Sequence, residues 1–245
     1  GVFFGRYYAR NDDGSLLLTS QGLAQPERGL VYVESAYNEA NLPTGALKDR
    51  IYSYGGSVYV PVRDANGQPL TTGTQELRKV IGDPTPDWIG SLSSLLSYKK
   101  LSLNFQFDAF MGGDIYNWNR ITSNNVGFGE IAEKELKGEL PRGYVSSIAG
   151  GVTGQRIQEE HIEDASFIRL RNISLSYKIG DHFKSNKILK GVTVTLSGQN
   201  LWLKTPYTGI DPETSLVGSN SNGQGLDYFG GPNTKSVTAA VALKF

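Results

Sequence analysis

Apolar and polar residues alternate along several stretches of the chain, most clearly at its end. In 236–245, Val237, Ala239, Val241, Leu243 and Phe245 alternate with Ser236, Thr238, Ala240, Ala242 and Lys244. Successive side chains of a strand point to opposite faces, so this spacing predicts a strand with one apolar and one small or polar face. Strands of soluble proteins average about 5–6 residues, whereas membrane-spanning strands need about 9–11. The length and the terminal Phe245 favour a membrane barrel.

The same period recurs upstream. Over 101–111 the odd positions are Leu101, Leu103, Phe105, Phe107, Ala109 and Met111, against Ser102, Asn104, Gln106 and Asp108. Ile173, Leu175, Tyr177 and Ile179 alternate with Asn172, Ser174, Ser176 and Lys178. Val192, Val194 and Leu196 alternate with Thr193, Thr195 and Ser197. A soluble sandwich could also bury such apolar faces, but rows of Asn, Gln, Asp and Thr suit a wet barrel lumen. Residues 92–98 alternate less cleanly, because Leu95 and Leu96 are adjacent. Ile168 and Leu170 fall out of phase with the segment that follows them. That predicts a bulge near residue 171, or a strand running on beyond the membrane.

Connection lengths sharpen the reading. Lys99-Lys100 is a tight turn, 112–166 is long and polar, 180–191 is short to medium, and 204–235 is long again. Long loops on one side and short turns on the other mark an up-and-down outer-membrane barrel. The expected organisation is therefore all-β. Residues 89–245 hold five transmembrane strands with extracellular loops 112–166 and 204–235. Residues 1–88 hold barrel strand or strands plus extracellular loop, with short strands read at 2–10, 16–19, 30–37 and 51–60. Turns are read at 11–14, 64–67 and 82–86.

Composition agrees. Thirty glycines and ten prolines together make 40 of 245 residues, above the combined average of about 12%, and 13 Tyr with a single Met suit a turn-rich β protein. Lys plus Arg and Asp plus Glu are 24 each, which speaks against a nucleic-acid partner bound through a basic face. The absence of Cys removes disulfides, thiolate metal sites and a Cys nucleophile. With only His161 and His182, a multi-histidine zinc site is removed too. No apolar run approaches a transmembrane helix. Gly1 suggests a mature product or a piece of something longer.

Candidate chemistry is sparse. His161 lies among Glu159, Glu160, Glu163 and Asp164; a metal site there is conceivable, but an exposed acidic loop is the expected state. His182 is expected to be exposed in its connection. Asp64-Ala65-Asn66-Gly67 begins like a calcium loop, but Gln68-Pro69 follows, so a turn is expected. Gly127-Phe128-Gly129 and Gly150-Gly151 lack the Lys-Ser/Thr of a phosphate cradle. No catalytic set, metal site or cofactor is expected, and the chain is not read as an enzyme.

Several longer stretches carry a resemblance. They are Ile81-Gly82-Asp83-Pro84-Thr85-Pro86-Asp87-Trp88 with Gly90 and Tyr98-Lys99; Phe107 to Gly113 with Asp114-Ile115-Tyr116; and Asp164-Ala165-Ser166-Phe167-Ile168-Arg169-Leu170-Arg171-Asn172-Ile173-Ser174-Leu175-Ser176-Tyr177. Two more are Ser197-Gly198-Gln199-Asn200-Leu201 and Tyr207-Thr208-Gly209-Ile210-Asp211-Pro212-Glu213. In this order they resemble the C-terminal barrel segment of the SusC/RagA family of TonB-dependent outer-membrane transporters, well over roughly 80–245 and loosely before.

The resemblance implies a 22-stranded barrel plugged by an N-terminal domain that is absent from this chain. It also implies a SusD-like lipoprotein lid and TonB-driven import of glycans or peptides across the outer membrane of a Gram-negative bacterium. Expected partners are the rest of the barrel and plug, the lid, TonB through the missing part, outer-membrane lipid and the barrel-assembly machinery. Asn104, Gln106, Asp108, Asn172, Ser174, Lys178, Thr193 and Thr195 would face the lumen. Tyr116, Trp118, Tyr144, Tyr228 and Phe229 would contact substrate or lid, while Trp202 and Tyr207 would belong to an interfacial girdle. Val237, Val241, Leu243 and Phe245 would form an assembly signal. A structural barrel in a larger outer-membrane complex is the alternative, with a soluble β-sandwich binding module behind it.

Overall fold

A computed structural model describes residues 1–31, 52–54, 57–149, 157–179, 189–216 and 224–245. The first strands along the chain are β1 (Phe3–Arg6), β2 (Arg28–Val31), β3 (Tyr52–Tyr54), β4 (Ser57–Pro61), β5 (Gln75–Glu76) and β6 (Arg78–Gly82). Then come β7 (Trp88–Tyr98), β8 (Leu101–Met111) and β9 (Asp114–Asn117), followed by α1 (Trp118–Asn125), α2 (Glu130–Leu136) and α3 (Tyr144–Ala149). A 3-10 turn at Gln158–His161 leads to β10 (Ile162–Asp164), β11 (Phe167–Lys178), β12 (Gly191–Lys204), β13 (Leu226–Asp227) and β14 (Ser236–Lys244). The readings at 32–51, Gly150-Gly151, His182 and most of the connection 180–191 lie outside the described residues. Among the described residues, no helix is long and apolar enough to cross a membrane.

The chain divides into two compact units. One comprises Thr85–Asp114, Asp164–Ser215 and Gly230–Phe245 and is built on a five-stranded antiparallel sheet in the order β14-β12-β11-β8-β7. Its strands have 9 to 14 residues, long for a soluble sheet and long enough to span a bilayer. The register joins the alternating patterns into two continuous faces. Leu92 pairs with Phe107, Leu103 with Leu175, Leu175 with Leu196, and Val194 with Val241. The opposite face pairs Asn104 with Ser174, Gln106 with Asn172, Ser176 with Thr195, and Lys178 with Thr193.

The apolar face is open. Leu92 is 63% exposed, Leu196 54% and Val237 68%. In water such a patch would drive association; hydrocarbon is the solvent in which it is stable.

The phase break at residue 171 is a bulge. Register shifts between Leu170 and Asn172, so Ile168 and Leu170 return to the apolar face opposite Ala109 and Phe107. The facing strand carries a matching irregularity at Asn200-Leu201, where Asn200 adopts φ 52°. Asn tolerates this left-handed conformation better than most residues. The fold-back lays the Leu201 side chain where a Cβ on Gly198 would sit. Close approach therefore explains the glycine in Ser197-Gly198-Gln199-Asn200-Leu201.

The other unit comprises Gly1–Pro84, Ile115–Glu163 and Leu216–Phe229. Its described strands are two to five residues long and form the small sheets β1-β6, β3-β4-β2-β5 and β10-β9-β13. The expected strand at 2–10 is realised as β1 followed by bridges at Tyr8 and Arg10, and Asn11–Gly14 turns as read. Unlike the sheet unit, this one buries its apolar residues. Tyr8, Ala24, Ile131, Ile148, Ala149 and Ile157 form one core, and Tyr7, Tyr59 and Leu77 another. Short helices of 6 to 8 residues survive because side chains satisfy their ends. Asn117 Oδ1 accepts from the Arg120 N–H at the start of α1, and Asn124 Oδ1 accepts from Ile131 and Ala132 N–H at the start of α2.

Candidate functional site

In the sheet unit, the polar face carries an ion-pair network. The bulge turns both arginines toward this face: Arg169 is in register with Asp108, and Arg171, the bulged residue, reaches the same carboxylate. Arg171 Nε donates to Asp108 Oδ2 at 2.6 Å and Arg171 Nη1 to Glu213 Oε2 at 2.8 Å, while Nη2 reaches Glu213 Oε1. Arg169 Nη2 lies 2.5 Å from Asp211 Oδ1 and Arg169 Nε 2.8 Å from Glu213 Oε2. Asp108 also accepts from Ser91 Oγ and Gln106 Nε2. Asn233 closes the other end, donating its N–H to Asp211 Oδ2 and its amide to Glu213 Oε2.

The side chains of Arg169 and Asp211 are each only 3% exposed, so removing either would strand a buried charge. The network ties the segment after β12, and the residues before β14, to the last part of β8 and the first part of β11. Gly209, between Tyr207 and Asp211, sits under the Tyr207 ring. Tyr207 is 5% exposed, so it is not part of an interfacial girdle: its ring is spent folding this loop. Trp202 is 45% exposed on the apolar face and meets Phe107 edge-on at 6.4 Å.

In the loop unit, four of the five expected contact aromatics come together. Tyr116 and Trp118 have ring centroids 6.0 Å apart, Trp118 and Tyr228 5.4 Å, and Tyr228 and Phe229 5.2 Å. Tyr116 is buried at the base, its hydroxyl pushed up to about 12 by burial, while Tyr228 and Phe229 are exposed at the outer end. Phe229 adopts φ 52°, uncommon for a bulky residue, and its N–H is held by Asn119 Oδ1 at 2.9 Å. Tyr144 is elsewhere, packed from α3 against the Tyr8 core.

The acidic run is not a solvated loop. Glu159 accepts from the Tyr8 N–H and pairs with Arg10; Glu160 takes the Tyr8 hydroxyl and Arg120; Glu163 accepts from Asn117 Nδ2. These acids clamp the segment after β1, and α1, to the 3-10 turn. His161, between them, is fully buried beside the Tyr116 ring. Burial, with help from Arg120, pushes its pKa down to about 3, so the imidazole is neutral at physiological pH. Burial and Glu160 push the Tyr8 hydroxyl pKa well above its usual value. No group of three or more His, Asp or Glu positioned for a metal occurs among the described residues. Asp64 Oδ1 accepts from Asn66 and Gln68 N–H, a turn rather than a calcium loop.

Sequence reasoning placed Gln106 and Asp108 on the polar face but missed Arg169, Arg171, Asp211 and Glu213. Two arginines two residues apart in an otherwise apolar-alternating strand, and an Asp-Pro-Glu downstream, were the available signal.

A five-strand, apolar-faced antiparallel sheet with long loops defines a membrane β-barrel wall, and comparison with known proteins agrees. No family model matches the chain. It is 30% identical over 217 residues to TonB-dependent receptor P3 of Formosa agariphila, covering 86% of this chain and 21% of that protein. To TonB-dependent receptor P26 of the same organism it is 31% identical over 233 residues, covering 89% and 22%. To TonB-dependent receptor SusC of Bacteroides thetaiotaomicron it is 25% identical over 202 residues, covering 77% and 19%. Among solved structures, the RagAB peptide importer in its closed-closed state superposes over the whole chain and 23% of its own, with TM-score 0.58 and 22% identity. The open-open state gives 0.57 and 21%. The chain belongs to the SusC/RagA-like TonB-dependent transporters, and it spans about a fifth of the length of the curated relatives it matches.

Proposed function

We propose that the chain is part of the barrel wall of an outer-membrane transporter in a Gram-negative bacterium, importing oligomeric nutrients with energy from TonB. The observation that carries this reading is the continuous apolar face left open on five long strands, in a chain of this family. The edges β7 and β14 need the remaining strands of the barrel, because unpaired backbone groups in a bilayer cost several kcal/mol each. A SusD-like lipoprotein is the proposed lid, and glycans or peptides are the proposed cargo.

In this reading Asn104, Gln106, Asp108, Asn172, Ser174, Lys178, Thr193 and Thr195 line the lumen or meet the plug. The Arg169–Asp211 and Arg171–Glu213 pairs hold an extracellular loop onto that wall. Trp118, Tyr228 and Phe229 present aromatic faces to substrate or lid, supported from beneath by Tyr116. Val237, Val241, Leu243 and Phe245 serve both as lipid-facing surface and as the signal read during barrel assembly.

The test is uptake by cells carrying the complete transporter. Labelled oligosaccharide or oligopeptide should enter in a manner abolished by deletion of the gene and by a protonophore. Uptake indifferent to both, with the protein still in the outer membrane, would leave a structural role. A Phe245→Asp variant should lower outer-membrane levels of the assembled barrel.

A further inference from the structure

Charge in the sheet unit is strongly polarised along the strands. At the end that carries the β7–β8 turn stand Lys99 and Lys100 in the turn, Lys178 closing β11, Lys190 just before β12 and Lys244 closing β14. Backbone hydrogen bonds hold them within the last rows of the sheet: Lys178 N–H donates to Lys100 O at 2.9 Å, and Lys190 N–H to Lys244 O at 2.7 Å. Among the described residues, every side-chain carboxylate of this unit (Asp87, Asp108, Asp114, Asp164, Asp211 and Glu213) lies in the opposite half. Among these residues the charged side chains of the turn end are therefore all cationic, over about 15 Å from β8 to β14 at roughly 4.8 Å per strand.

These lysines do not all point the same way. Lys178 and Lys244 fall in phase with the polar row. Lys190 is in phase with Val192 and so with the apolar face. Lys99 adopts φ 54° in the two-residue turn, and its Nζ lies 5.2 Å from the Tyr98 ring centroid. Tyr98 is itself on the apolar face and 71% exposed, in the same row as Leu101, Tyr177, Val194 and Val241. That face thus ends, toward the turns, in two exposed tyrosines with ammonium groups just beyond. The order apolar, aromatic, cationic is the order of a bilayer leaflet with anionic headgroups.

We infer that the turn end binds anionic phospholipid headgroups of the adjoining leaflet, through Lys99 and Lys190 on the apolar side. The inference rests on the transporter reading, since only a membrane-embedded sheet meets such headgroups.

The test uses the complete transporter containing this chain, reconstituted into phosphatidylcholine bilayers doped with spin-labelled phosphatidylglycerol or spin-labelled phosphatidylcholine. The protein should hold phosphatidylglycerol preferentially in its boundary layer, and the preference should collapse in about 1 M salt, where the Debye length is about 3 Å. K99Q/K190Q should lower the preference roughly fivefold, K99R/K190R should keep it, and K178Q/K244Q should leave it unchanged. A drop in K178Q/K244Q without one in K99Q/K190Q would assign the cationic end to an occupant of the polar face and overturn the inference. So would a salt-insensitive or absent preference in the unaltered protein, which decides the matter even if a variant fails to assemble. A protein that enters bilayers without headgroup preference overturns only this inference; one that does not enter them overturns the transporter reading as well.

Discussion

The two units solve opposite problems with the same residue types. The loop unit hides Ile115, Ile121, Ile148 and Ile157, each at most 1% exposed, and buries Asn117, Asn124 and His161 beside them. The sheet unit leaves Leu92, Leu175, Leu196, Val237 and Val241 in the open and buries arginine and aspartate instead. A unit that folds in water places its apolar residues inside. A barrel wall places them outside against lipid, and its polar face carries the charges, which pair where the segment around Asp211 covers them. The buried Arg169–Asp211 pair of the sheet unit and the isoleucine core of the loop unit are therefore counterparts, each holding its unit together where side chains leave water.

Four substitutions or conditions sharpen this contrast. The largest effect is expected for Arg169→Met, which leaves Asp211 buried without its guanidinium. Loss of about 3–5 kcal/mol is expected, together with rapid proteolysis of the assembled transporter near 209–213 where the unaltered protein resists. Next is a pair of neighbours on β7. Leu92→Arg on the apolar face should destabilise the barrel by about 2–4 kcal/mol, whereas Ser93→Arg on the other face should change little. Loss of the heat-modifiable band on gels would report the difference, and equal effects would refute a lipid-facing assignment.

The third concerns pH. His161 has a folded pKa near 3, below its unfolded value of about 6.5. The unfolded state therefore binds the extra proton between these values, and stability falls as pH drops through that window. By pH 5 the loss is about 2 kcal/mol, from 1.36 kcal/mol per pH unit. The loop unit should open before the sheet unit on acidification, as read by hydrogen exchange at Ile115 and Ile148. His161→Phe should remove that part of the pH dependence. The smallest effect is at Asn200→Ala, where the left-handed backbone loses its tolerant residue. About 1 kcal/mol is expected, seen as a small shift in thermal unfolding.

Much of the sheet was legible because its determinants are local. The period-2 alternation of 101–111, 172–179 and 192–199 fixes which residues share a face, and a single break in phase at residue 171 announced the bulge. The ion pairs were not legible in the same way. Arg169 and Asp211 are 42 residues apart, and nothing periodic connects them. The acidic run at 159–164 misled for a related reason. Alone it looks solvated, and only the return of the segment after β1, some 150 residues earlier, supplies Tyr8 and Arg10 to bury it.

Tyr144 and Tyr207 carry the same lesson in reverse. As loop aromatics they look available for contact, yet one packs into a core and the other roofs a glycine. The sequence by itself determined strand length, face and solvent, because each depends on neighbours one or two residues away. Tertiary structure decided which charges are shared, which aromatics stay exposed and where the glycines are required. Those depend on chain segments that meet only after the backbone has folded.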